Sequence, residues 1–184
     1  MGRIITDMSR RNFLGAVGKA ALVGTVALLP KAKIAQAAMP WHGYSQDYRN
    51  SLILTRAWND YLKNVGLECK PWVQNVVASA SGGIVTIPTT NPDNCTWRWS
   101  QDVYGYNMSR PIQYAKPGEI VQMRLRNNPY LHTAIVSSMQ ATKVGFIESN
   151  VVPPNGKTVG YREVLFSDFY SGNCIACFSI YTIL

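Results

Sequence analysis

The stretch that decides the fold is GLECKPWVQNVV, residues 66–77. Pro71 fits only the first turn of a helix, where its missing N–H group has no helical acceptor to serve. Apolar residues follow at helical spacing and predict a buried face, made of Trp72, Val73, Val76 and Val77. The pattern therefore predicts a buried helix that begins at or near Cys69.

A cysteine at the start of a helix is suited to nucleophilic chemistry. The helix dipole and the backbone N–H groups of the first turn favour the thiolate, which is the reactive form of the side chain. The alternative is a structural cysteine, either buried or in a disulfide. Cys69 is therefore a candidate nucleophile, and its partners must come from elsewhere in the chain.

The first 37 residues have the organisation of an export signal. The twin-arginine motif SRRNFL at residues 9–14 precedes a mildly apolar run from Gly15 to Leu29, and Ala35-Gln36-Ala37 supplies a small-x-small cleavage site. This order is typical of a twin-arginine (Tat) signal peptide. An uncleaved membrane anchor is the alternative, but the run is short for a span and contains a lysine. We therefore expect the Tat machinery to export the chain across a bacterial inner membrane.

Charge and length define what remains after cleavage, residues 38–184. The whole chain of 184 residues has a formal net charge of +8, but this part holds 12 Lys and Arg against 9 Asp and Glu, a net charge of +3. The basic character belongs mostly to the signal and gives no reason to expect a nucleic-acid partner. About 147 residues suffice for one domain with a single core. We expect a periplasmic or extracellular domain with no stable membrane insertion.

The mature part has helical patterns first and strand patterns later. Residues 45–64 predict an amphipathic helix that Ser45 or Asp47 could cap and Gly66 could end. Residues 84–118 look rich in loops. Five strands are predicted beyond them, at 118–126, 131–138, 143–150, 158–166 and 175–183. Hairpins at this spacing predict an antiparallel sheet and hence an α+β fold, with the N-terminal helices packed on the sheet.

Aromatic residues are dense in the loop-rich region. The candidate substrate-binding residues, for a glycan or peptide groove, are Trp97, Trp99, Tyr104 and Tyr106, with Trp72 from the helix. The alternative is that these rings pack the loop onto the body of the domain.

His132, Glu148 and Asn150 are the partners that a nucleophilic cysteine needs. His132 opens the second predicted strand, and Glu148 and Asn150 lie two apart on the third, so they face the same side. If these strands pair, a carboxylate or an amide can reach the imidazole and fix its tautomer and orientation. The set has the papain-like order of Cys, then His, then Asn or Glu. The predicted catalytic residues are therefore Cys69, His132 and one or both of Glu148 and Asn150.

Four short motifs occur in this order along the chain: CxxWV from Cys69, PGEIV at 117–121, HTAIV at 132–136 and ESN at 148–150. Together they resemble the CHAP family, the cysteine- and histidine-dependent amidohydrolases and peptidases, and more distantly the NlpC-type peptidoglycan hydrolases. The resemblance implies a papain-like fold. It also implies an amidase or endopeptidase that hydrolyses amide bonds, most simply in peptidoglycan, with no metal or cofactor.

Glu68 departs from the family's usual glutamine before the cysteine. A carboxylate there raises the thiol pKa by like-charge repulsion and is a poor donor to an oxyanion, although backbone N–H groups at Cys69 could serve instead. The alternative function is therefore a weak or inactive domain of the same fold that binds the cell wall or a partner.

Three further cysteines complete the set of four. Export permits a disulfide, most simply from Cys95 to Cys174 or Cys177, or locally between Cys174 and Cys177. The CxxC at 174–177 enters a predicted strand instead of opening a helix, which argues against a thioredoxin-like role. A zinc site would need a fourth ligand that the sequence does not place.

Overall fold

A computed structural model describes residues 40–88, 110–126, 131–150, 157–171 and 174–184, together with the backbone of 103–107. All of them belong to one compact unit. This unit is an α+β domain, as the sequence predicted. The predicted Tat signal peptide, residues 1–37, lies outside the described residues. None of the helices in the described part is long and apolar enough to span a membrane.

Two α-helices precede the strands of the sheet along the chain, α1 (Gln46–Trp58) and α2 (Cys69–Ala80). The strands are β1 (Val103–Asn107), β2 (Ile120–Leu125), β3 (Leu131–Met139), β4 (Lys143–Ser149), β5 (Val159–Leu165) and β6 (Ile175–Ile183). They form an antiparallel sheet in the order β1-β6-β2-β3-β4-β5. Strands β2 to β5 are consecutive neighbours, and β6 returns to pair with β2. The sheet therefore holds β3, β4 and β5 side by side.

Apolar side chains cover both faces of the sheet. On one face α1 and α2 pack against strand residues that include Ile120, Ile135, Ile147 and Tyr181. On the other face, Ile112 and Phe169 from two short 3₁₀ helices cover Phe146 and Phe178. Side chains alternate between the two faces along each strand, so residues on both faces of β3 and β4 are buried. This explains the apolar centres of these strands, residues 134–136 in β3 and 144–147 in β4.

The predicted helix over 45–64 is right at its start and wrong at its end. The Ser45 hydroxyl accepts a hydrogen bond from the Tyr48 N–H at 3.3 Å and caps α1. The helix stops at Trp58, and the Leu62 N–H then donates to the Val159 carbonyl at 2.9 Å. Asn64 forms a bridge with Thr158. These hydrogen bonds to the start of β5 replace the helical ones, so the chain leaves the helix before Gly66.

The loop-rich prediction for 84–118 is corrected by β1. This edge strand pairs with the last strand of the chain, with Gly105 opposite Tyr181. This strand is only five residues long and has a glycine at its centre, which weakens the strand pattern of its sequence. It was therefore not predicted.

Both the backbone conformation and the neighbouring atoms require a glycine at position 118. Its φ is +87°, in the left-handed region that favours glycine, and a Cβ built there would overlap the backbone of Asn50 on α1. Its N–H donates to the Val136 carbonyl at 2.8 Å. The glycine of the PGEIV motif therefore allows α1 to approach the entry to β2 closely.

We expect Gly118→Ala to lower the free energy of unfolding by about 2–5 kcal/mol, because a backbone strain of about 1–2 kcal/mol adds to about 1–3 kcal/mol of overpacking. Gly83→Ala is the matched control, since Gly83 has φ +84° and no atom within 4 Å of a built Cβ. The Gly83→Ala variant should lose only the part of the free energy of unfolding that comes from backbone strain, about 1–2 kcal/mol. Urea unfolding of both variants measures the difference, and equal losses would contradict the close approach.

Candidate active site

Helix α2 begins at Cys69, as the position of Pro71 predicted. Glu68 is the extended N-cap residue, and its carbonyl accepts the first helical hydrogen bond from the Trp72 N–H at 3.0 Å. The buried face of the helix packs on the sheet through Val73 and Val76. This packing fixes the helix start, so the cysteine is held by a rigid element.

Two hydrogen bonds attach the segment before Cys69 to the end of β4. The Ser149 hydroxyl donates to the Leu67 carbonyl at 2.6 Å, and the Asn150 side-chain amide donates to the Glu68 carboxylate. Asn150 has a φ of +68°, a conformation that asparagine tolerates better than most residues. The end of β4 is therefore tied to the start of α2, which brings β4 side chains towards the cysteine.

Glu148 is the residue that contacts the imidazole of His132. His132 Nε2 lies 2.6 Å from Glu148 Oε2. The Glu148 side chain is 0% exposed and that of His132 is 15% exposed. The register that pairs Ile135 with Ile147 places Glu148 diagonal to His132 on the neighbouring strand. Of the two predicted orienting residues, the structure brings Glu148 to the histidine and Asn150 to Glu68.

The sulfur of Cys69 is hydrogen-bonded to His132 and to the backbone N–H groups of Thr133 and Lys70. Because Glu148 occupies Nε2, the ring nitrogen left for the sulfur is Nδ1. Burial raises the pKa of Cys69, but the hydrogen bond and positive charge of His132, with the two N–H groups, bring it below the usual value. The site therefore favours the thiolate.

The histidine is correspondingly held as a cation. Burial lowers the pKa of His132, but its hydrogen bonds to Cys69 and Glu148 and their negative charges raise it to about 9. The two shifts have one origin, because each charged partner stabilises the other. Between the lowered pKa of Cys69 and the His132 pKa of about 9, the pair is therefore thiolate and imidazolium, the reactive form of a cysteine nucleophile.

Arg162 on β5 is a further member of the cluster that the sequence analysis missed. Its Nε lies 2.6 Å from Glu148 Oε1 and its Nη2 lies 3.2 Å from Oε2. Burial raises the pKa of Glu148, but its hydrogen bond to His132 and the charge of Arg162 bring it below the usual value. The available sequence signal was that Arg162 is the only basic residue in the predicted strand 158–166.

Lys70 places a second cation beside the sulfur. Its side chain is buried on α2, although a lysine in the first turn opposes the helix dipole. Burial lowers its pKa to about 8, and the charge of Cys69 acts in the opposite direction. Lys70 therefore contributes positive potential at the thiolate.

The predicted substrate-binding aromatic residues do not form a groove among the described residues. Trp72 is a correction, because it is 1% exposed and its indole N–H donates to Asp60 at 3.2 Å within the core. Tyr104 and Tyr106 lie on the edge strand β1, of which only the backbone is described. Trp97 and Trp99 lie outside the described residues.

None of the disulfides that export would permit at Cys174 and Cys177 is formed in the structure, and Cys69 is not in a disulfide either. Cys174 directly precedes β6 and Cys177 lies on it. Three residues of extended chain span about 10 Å, beyond the reach of a disulfide. Cys95 lies outside the described residues. Within the described part of the chain, no three His, Cys, Asp or Glu side chains converge as a metal site.

Comparisons with known proteins add little to this geometry. No protein-family model matches the chain, and no curated protein matches it. Among solved structures, the chain is similar to one described as "The crystal structure of Ly7917", with 15% sequence identity and a TM-score of 0.48. The similarity covers 73% of this chain and 62% of that one. Similarity at this level supports no conclusion about fold or function.

Proposed function

We propose that this chain is an exported cysteine hydrolase with a papain-like, CHAP-type fold that cleaves amide bonds in peptidoglycan. The observation that carries the proposal is the hydrogen-bonded series Cys69–His132–Glu148, built from a helix start and two adjacent strands. These are the roles of nucleophile, general base and orienting carboxylate. The Tat-type signal and the four CHAP-like motifs supply the compartment and the substrate class.

In the first step the Cys69 thiolate attacks the carbonyl carbon of the amide. The new C–S bond forms as the carbonyl π electrons move to oxygen and give a tetrahedral oxyanion. The N–H of Cys69 lies in the first turn of α2, where no earlier carbonyl of the helix accepts it. This N–H and the positive end of the helix dipole stabilise the oxyanion.

His132 supplies the proton that the leaving group needs. The imidazolium protonates the amine as the C–N bond breaks, and an acyl-enzyme thioester remains. The neutral imidazole then removes a proton from water, which attacks the thioester and releases the carboxylic acid and the thiolate. Glu148 keeps the ring oriented and balances its charge through both half-reactions.

Digestion of purified peptidoglycan by the full chain tests the proposal. We expect free amino groups to accumulate with time, one for each amide bond cut, and pre-treatment with iodoacetamide to stop their release. Mass spectrometry of the soluble fragments identifies the bond, because an amidase frees the peptide from the glycan whereas an endopeptidase shortens the peptide. Absence of amine release from walls of several cross-link types would reject the proposed activity.

A second candidate function, a wall-binding or partner-binding domain with weak catalysis, is favoured by Glu68. This exposed residue precedes the nucleophile, and its carboxylate is engaged by the Asn150 amide. A carboxylate cannot donate a hydrogen bond to an oxyanion, so catalysis must rely on backbone donors. Co-sedimentation with insoluble peptidoglycan separates the two candidates. A pure binder sediments with the wall and releases no amine, whereas the hydrolase solubilises the material.

A further inference from the structure

Glu148 is shared between two cations on opposite sides. His132 reaches it from β3, and Arg162 reaches it from β5. In the pairing of β4 with β5, Arg162 lies opposite Phe146, and Gly160 lies opposite Glu148. Gly160 carries no side chain, which leaves the space over Glu148 to the guanidinium. The three charged groups therefore form one row across three adjacent strands.

Both oxygens of the buried carboxylate are held by the guanidinium. Nε and Nη2 of Arg162 each contact a different oxygen, which is the paired geometry that only arginine offers. The Arg162 side chain is 36% exposed, so it connects a fully buried carboxylate to the surface. Its position fixes the carboxylate plane and hence the oxygen that faces the imidazole.

Charge balance shows what Arg162 contributes to the groups around the sulfur. Cys69 as thiolate, His132 as imidazolium and Glu148 as carboxylate sum to one negative charge, and Arg162 brings the sum to zero. Lys70 on α2 adds its own charge beside the sulfur, and the residue of β2 opposite His132 is the uncharged Met123. A buried group of net negative charge takes up a proton more readily, and the thiolate is the site where that uptake stops the chemistry.

We propose that Arg162 is a positioning residue of the active site, which holds the Glu148 carboxylate in the place from which it orients His132 beside the Cys69 thiolate. The inference rests on the proposed function and adds a fourth residue to its machinery. Arg162 contacts neither the sulfur nor, in the proposed mechanism, the substrate, so its effect is on protonation and orientation.

The test is the pH profile of iodoacetamide alkylation at Cys69, followed on the Cys69 peptide by mass spectrometry so that the other cysteines do not interfere. In Arg162→Gln we expect the alkylation midpoint to rise by about one pH unit, because Glu148 then no longer holds the imidazolium close to the sulfur, and a close opposite charge shifts a thiol by that order. Wall hydrolysis should fall by up to about tenfold below the new midpoint, the factor that one pH unit represents, and recover in part above it.

Two further variants make the test specific. Arg162→Lys restores the charge without the paired geometry, so its midpoint should rise less than that of Arg162→Gln. Lys143→Met is the matched control, because it breaks the other β4–β5 ion pair, Lys143 to Glu163 at 3.1 Å, and leaves Glu148 untouched. Its midpoint should equal that of the wild type.

The outcomes separate the two proposals. A wild-type profile in folded Arg162→Gln overturns the role of Arg162, while wild-type hydrolysis still supports the proposed function. If Arg162→Gln does not fold, Arg162→Lys takes its place, and a measurable rise supports the inference whereas a coincident profile overturns it. If wild-type Cys69 itself reacts no faster than a free thiol at neutral pH, the proposed function fails first.

Discussion

Cys69→Ala is expected to reduce the release of amino groups from purified peptidoglycan to the level of the buffer control. The substitution removes the atom that forms the thioester, so neither half-reaction remains. The helix should persist, because alanine is a strong helix former and the packing of Val73 and Val76 is untouched. Amine release over time, with circular dichroism and thermal melting on the same sample, measures both effects.

Cys174→Ala is the control for the loss of a thiol as such. Cys174 is a free, exposed cysteine at the start of β6, and it should be replaceable without loss of hydrolysis. The informative result is therefore a contrast between two cysteines of one chain. Hydrolysis by Cys69→Ala at a rate near that of the wild type would remove the nucleophile and the proposed mechanism together.

His132→Ala is expected to lower kcat/KM for wall hydrolysis by about 10²–10⁴-fold, the range of a positioned acid–base group. It should also raise the pKa of Cys69 relative to the wild type, because burial is then opposed only by the N–H groups of Thr133 and Lys70 and by the charge of Lys70. Peptide-resolved alkylation against pH measures this rise directly. Alkylation of the variant near neutral pH should be slow, whereas the wild type should react faster than free cysteine.

The wild-type pH profile follows from the same pair. Activity should fall as acidity increases through the lowered pKa of Cys69, because the thiolate becomes protonated. It should fall on the alkaline side near pH 9, where His132 loses the proton that the leaving amine needs. The control is His42→Ala, which alters an exposed histidine of the short 3₁₀ helix Trp41–Gly43 and should leave both limbs in place. An alkaline limb that persists unchanged in His132→Ala would assign the acid to another group.

The starts of both helices and the positions of strands β2 to β5 could be predicted from the sequence. Pro71 excludes a helix interior, and Ser45 supplies a capping oxygen, so both helix starts depend on residues within a few positions. Turn residues between apolar runs likewise marked β2 to β5. These features were predictable because the interactions that produce them are local.

The end of α1, the strand β1 and the choice of protein core over substrate for Trp72 could not be predicted in the same way. Each depends on a partner far along the chain: the start of β5 for the residues after Trp58, Tyr181 for Gly105, and Asp60 with the sheet core for Trp72. Amphipathic spacing shows that a helix has an apolar face that must be covered. It does not show whether substrate or the protein's own core covers it.

The sequence by itself determined which residue types are available for the chemistry, a cysteine at a helix start, one histidine on a strand and two polar candidates two residues apart. Only the tertiary structure decided between those candidates and added the arginine. The register of β3 against β4 places Glu148 at the imidazole, and the left-handed turn at Asn150 carries its amide to Glu68 instead. Strand register is a long-range property that depends on both the hydrogen bonds and the core. Arg162 lies two strands from His132, so the residues around it in the sequence do not show that it contacts Glu148.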